Sequence, residues 1–146
     1  MEPFARSKHG NRIACSALSG LVLLSAWILP AGRVSAATGR VVEIVADKDN
    51  IFKVSGQKKP IITAKPGEML TLKITSFAGP EVAKDGSEHS VVIKSLREQG
   101  WDLRLKHGTQ EFTLAAPQSP GEYLIECTVK CGRGHDDMQM KLIVRN

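Results

Sequence analysis

Aromatic side chains are scarce in this chain of 146 residues, at 5 %, and so are cysteine, with three, and histidine, with four. Each shortage removes a class of function. Three cysteines fall short of the four that an iron–sulfur cluster draws on. After the N-terminal segment only His89, His107 and His135 remain, and no Ser-His-Asp or paired-carboxylate arrangement can be assembled around them, which argues against an independent hydrolase. The chain has no sustained helical stripe, no internal repeat and no low-complexity tract, so neither a helical bundle nor a repeat array is indicated. Its 20 Lys and Arg against 15 Asp and Glu are not clustered or interleaved with aromatics. Nucleic-acid binding therefore has no electrostatic footprint.

What is present begins with the N-terminus. Arg6, Lys8 and Arg12 precede an uncharged run from Ile13 to Gly32, followed by Val34-Ser35-Ala36. A basic start, an apolar middle and small residues at a cleavage position describe a secretory signal over residues 1–36. The competing reading is a retained membrane anchor, because the run just reaches the roughly 20 residues that span a bilayer. Export implies a periplasmic or otherwise extracytoplasmic location, with membrane attachment only if the segment is kept. Removing Arg6, Lys8, Arg12, Arg33 and Glu2 leaves 16 basic against 14 acidic residues, a charge of +2 in place of +5. Cys15 leaves with the signal, and residues 37–146, 110 in all, are the size of one domain with a single core.

That domain breaks into short alternating pieces punctuated by Gly and Pro. "RVVEIVA" reads as a strand; after the turn "KPGE", Leu70, Leu72 and Ile74 alternate with Thr71, Lys73 and Thr75. "HSVVI", "QEFTLAAP", "SPGEYLIEC" and "MKLIVRN" continue the pattern, whereas "KSLREQGWDLRLKHG" reads mainly as loop between Gly100 and Gly108. Six to eight short strands at this spacing predict an all-β antiparallel sandwich.

The chemistry concentrates in "CTVKCGRGHDDM", which places Cys127, Cys131, His135 and Met138 within twelve residues. Four residues of extended strand cover roughly 13 Å, too far for two sulfurs to share a metal, so the chain must turn between the cysteines. Gly132 and Gly134 supply the backbone freedom. Thiolate, imidazole and thioether donors together favour soft or borderline metals, copper or zinc. An exported cysteine pair also forms disulfides, so a Cys127 to Cys131 bridge is the rival reading. Taken singly, Met138 and His89 are as readily core residues as ligands, Met140 and Trp101 read as packing, and His107 reads as a solvated loop residue.

Cys127, Cys131, His135 and Met138 fit Cys-x3-Cys-x3-His-x2-Met, the ligand loop of the dinuclear copper A centre, and "EHSVVIKSL" and "PGEYLIEC" resemble the flanking segments of the same domain. Over nearly the full length of residues 37–146 the chain resembles the cupredoxin domain of cytochrome c oxidase subunit II. The resemblance implies a cupredoxin-like, Greek-key β-sandwich and two copper ions bridged by both thiolates. It implies further that His89 and an axial Met138 complete one copper, and His135 and the backbone carbonyl of Val129 the other. The implied activity is one-electron transfer to a redox protein such as a cytochrome or a terminal oxidase or reductase, with no bond chemistry of its own. The chain lacks that family's aromatic-rich stretch, and Lys130 and Arg133 lie inside the ligand loop, so a free-standing carrier is expected. Three alternatives remain: a copper(I) delivery protein using Cys127, Cys131 and Met138; a mononuclear blue site of His89, Cys131, His135 and Met138; and a zinc site of His89, Cys127, Cys131 and His135.

Overall fold

The computed structural model describes residues 39–146; the expected signal at 1–36 lies outside them. Nine strands are present among the described residues: β1 Arg40–Ala46, β2 Phe52–Val54, β3 Ile61–Ala64, β4 Met69–Ser76, β5 His89–Val92, β6 Asp102–Leu105, β7 Gly108–Ala115, β8 Gly121–Glu126 and β9 Gln139–Val144. They form two sheets, ordered β2-β1-β4-β7 and β3-β9-β8-β5-β6. This is the expected β-sandwich, with one addition that alternation alone does not reveal. The pairs β1 with β4 and β3 with β9 run parallel, while the others run antiparallel.

Period-two patterning decides which face is buried. In β4, Leu70, Leu72 and Ile74 are inaccessible while Met69, Thr71, Lys73 and Thr75 between them are only partly covered. A slip of one residue would reverse every one of those assignments. The register sets Leu70 opposite Leu114 and Leu72 opposite Phe112 on β7, so apolar side chains pair across the ladder. From the facing sheet, Val91, Leu105, Ile125, Met140 and Leu142 close the core. Fully burying one such side chain stabilises the fold by about 1.5–3 kcal/mol.

The stretch read mainly as loop is more regular than its glycines suggest. Lys94–Gln99 forms a 3-10 turn that Gly100 ends in the left-handed region at φ 92°, and Asp102–Leu105 is a strand paired to β5. Trp101 between them is buried, as its packing role requires, and its Nε1 donates to Ala115 O at 3.1 Å, tying the two sheets together. Three connections gather at one end of the sandwich: Asp47–Ile51 between β1 and β2, Phe77–Glu88 between β4 and β5, and Cys127–Met138 between β8 and β9. Among the described residues no helix is long and apolar enough to cross a membrane.

Candidate metal centre

Each expected ligand is positioned by a strand end or a turn at that gathered end. His89 opens β5 and is fully buried. Cys127 follows the last residue of β8, and its N–H donates to Met138 O at 3.1 Å just before β9 begins. Between them the chain doubles back, with Gly132 at φ 105° and Gly134 at φ 89°, conformations that a side chain would strain. His135 N then donates to Gly132 O at 3.2 Å and Met138 N to His135 O at 3.1 Å, a 3-10 turn that carries both residues back toward Cys131.

The result is a compact donor group. Cys127 Sγ and Cys131 Sγ lie 3.9 Å apart as free thiols, well beyond the roughly 2 Å of a disulfide. Ligand atoms of His89, Cys127 and Cys131 all lie within 4.8 Å of one another, all on buried residues. His135 Nδ1 stands 3.6 Å and Met138 Sδ 4.0 Å from Cys131 Sγ, and Val129 O stands 3.4 Å from Cys127 Sγ. All six residues singled out in the sequence therefore converge on one place.

The donors suit a metal on chemical grounds. His89 Nε2 lies 2.9 Å from Phe77 O, which fixes the proton on that nitrogen and leaves the lone pair on Nδ1. Nδ1 is buried and has no hydrogen-bond partner. Leaving a buried acceptor unmatched costs about 1–3 kcal/mol, and beside two thiols a metal ion is the partner that would meet it. Electrostatics point the same way. Burial pushes the Cys127 thiol up, but His89 and the backbone at Ser90 and Val129 more than offset it and bring it down to about 7. Burial and the neighbouring Cys127 push Cys131 up to about 12. Burial also opposes charge on His89, which is outweighed by Cys127 and the Phe77 carbonyl, so its pKa is raised. The pair gives up one proton near neutrality and holds the second until a cation displaces it.

Several supporting residues carry no sequence motif. Ser90 Oγ accepts from Thr128 N at 2.7 Å, pairs with Thr128 Oγ1 at 3.0 Å and approaches Cys127 Sγ at 4.0 Å, pinning the start of the ligand loop. His107 is largely exposed, as expected, yet its Nδ1 lies 3.0 Å from the buried Glu88 carboxylate and its ring meets Phe77 edge-on at 6.3 Å. Position beside His89 was the available signal for Ser90.

No protein-family model and no curated protein matches the chain. Solved structures do. A chain of a heme-copper terminal oxidase dimer matches with 22 % identity over 74 % of this chain and 66 % of its own length, at a TM-score of 0.53. Auracyanin B matches with 18 % identity over 77 % and 94 %, at 0.49, and Fet3p, a multicopper oxidase that functions in iron import, with 14 % identity over 74 % and 23 %, at 0.50. This chain's match thus spans just under two thirds of the oxidase chain. The class defined by the fold is the cupredoxin-like β-sandwich. Within that class the chain is one whose loop end holds a buried group of two thiols and an imidazole spaced for a metal ion.

Proposed function

We propose that the protein is an exported copper-binding electron carrier, with residues 1–36 as its export signal and residues 37–146 as its copper domain. His89, Cys127, Cys131, His135, Met138 and the carbonyl of Val129 are its ligands, arranged for two ions as in a copper A centre. The observation that carries the reading is the buried, unpartnered His89 Nδ1 facing two free sulfurs. Bound copper would supply one-electron exchange, with the thiolates of Cys127 and Cys131 as its soft donors. The chain's own part is to hold both sulfurs 3.9 Å apart, to fix the His89 tautomer through Phe77 O, and to keep water from Cys131 and Met138, both buried. Pre-set donors of this kind reduce the rearrangement that accompanies a change of charge. Likeness in fold to a chain of a heme-copper terminal oxidase supports a redox protein, a cytochrome or a terminal oxidase or reductase, as the partner.

One observation favours a second reading, a mononuclear site. His135 Nδ1 and Met138 Sδ both stand within 4.0 Å of Cys131 Sγ, so His89, Cys131, His135 and Met138 would suffice for one copper with Cys127 spare. Copper loading of the purified protein separates the two. Two coppers per chain, an intense purple colour and a seven-line paramagnetic resonance signal are expected; one copper and a blue colour would replace the dinuclear reading with the mononuclear one. Colourless metal-loaded protein, or a spectrum untouched by Cys127→Ser, overturns the two-thiolate copper site.

A further inference from the structure

The connection between β1 and β2 contributes no ligand, yet one of its side chains reaches into the ligand loop. Asn50 is 2 % exposed, and its Nδ2 donates to Cys131 O at 3.2 Å and to Arg133 O at 2.6 Å. Its backbone sits at φ 59°, a left-handed conformation that asparagine tolerates better than most residues. The turn holding it there is itself braced. Asn50 N donates to Asp47 O at 3.1 Å, and Asp47 Oδ1 accepts from the N–H groups of Asp49 and Ile51, each at 3.0 Å. There is no slack on the other side: a Cβ at Gly79, in the connection from β4 to β5, would stand 2.5 Å from Asn50 Oδ1 and 2.6 Å from Cys131 O. Three loops meet at one amide.

Cys131 O also accepts from Glu81 N at 3.4 Å. The carbonyls of Cys131 and Arg133 are therefore engaged, while that of Val129 faces Cys127 Sγ. We propose that Asn50 is a positioning residue for the metal centre. It holds Cys131 to Arg133 in the metal-ready shape before metal arrives, and it keeps the Cys131 and Arg133 carbonyls occupied while Val129 O stays at Cys127 Sγ. The first half stands on the metal-free geometry; the second rests on the copper reading above. A loop ordered in advance has less freedom to lose on binding, and removing the amide leaves Arg133 O without its donor and Cys131 O with Glu81 N alone.

The test compares Asn50→Asp, which keeps the size but turns the donor into an oxygen facing two carbonyls, with Asn50→Gly, which relaxes the left-handed backbone while also removing the donor. In metal-free full-length protein, trypsin cleavage after Lys130 and Arg133 and amide exchange across 127–138 should both rise about 10-fold or more in each variant, as local opening becomes easier. Exchange in β4 and β9 should stay at the wild-type rate, which separates local positioning from general destabilisation. Copper(I) competition should show roughly 10-fold or greater weakening, and the absorption bands of the copper-loaded variants should move. Cleavage and exchange within twofold of wild type in both variants would overturn the positioning role. A loosened loop with unmoved bands and affinity would overturn the carbonyl-selecting role alone. Wild-type protein that takes up no copper would sink the copper reading, and the metal-free exchange would still decide what Asn50 does.

Discussion

Lowering the pH should expel the metal along a curve whose shape the two cysteines dictate. With Cys127 near 7 and Cys131 near 12, the sulfur pair at pH 7 carries about one and a half protons, half on the first and one on the second. A metal bound by both thiolates must displace all of them. The logarithm of the apparent binding constant should therefore climb by about 1.5 per pH unit at pH 7, by about 1 above pH 8 and by about 2 below pH 6. These slopes are the sulfurs' share, and His89, whose pKa is raised, adds up to about one more as it takes up its proton. Each whole proton is worth about 1.4 kcal/mol of binding per pH unit. The assay is competition with a copper(I) chelator of known protonation, run anaerobically from pH 5.5 to 8.5. In Cys127→Ser the step centred near 7 should vanish. A wild-type curve that is straight over this range, or one that superimposes on that of Cys127→Ser, would mean that Cys127 does not give up a proton to the metal and that the two-thiolate model fails.

Three further perturbations follow from the packing. Ser90→Ala removes the acceptor of Thr128 N, costing about 1–3 kcal/mol. At about 4–8 °C per kcal/mol for a domain of this size, the thermal midpoint of the metal-free protein should drop by about 5 °C or more, and a change under about 2 °C would contradict the anchoring role. Leu72→Ala empties a fully buried position of β4, so urea denaturation should show a loss of about 3–5 kcal/mol. In acid, burial works to raise the Asp47 carboxyl, but Lys53 and the Ile51 and Asp49 N–H groups outweigh it and hold its pKa below the usual 3.8. Its contribution is present above 3.8 and is lost as pH falls through the lower folded value, so Asp47→Asn should flatten the acid limb of the stability curve below about pH 4.

Where burial alternates the sequence was a sufficient guide: β4 and β9 were legible because covered and more open positions repeat over six to eight residues. β2 has three residues and β3 four, too short for a period to declare itself. β6 alternates, but two flanking glycines suggested a loop, and only its ladder to β5 marks it as strand. The parallel pairings depend on which distant segment lies alongside, which no local pattern encodes. At the site, the four donors of the ligand loop and His89 stood out because their chemistry is rare in so small a set of candidates. Asn50 did not, since "DKDN" announces a turn and says nothing of a partner 81 residues away. Glu88 and His107 were hidden for the same reason, being joined across the connections that flank β5 and β6.

The site draws on segments far apart in the chain: a brace at 47–50, an imidazole at 89 and a loop at 127–138. During synthesis a chain that has not yet reached position 127 offers an ion only a single ring nitrogen in this place. The two sulfurs and the rest of the loop follow only at 127–138, just ahead of β9, so the full donor set cannot be assembled until the chain is nearly finished.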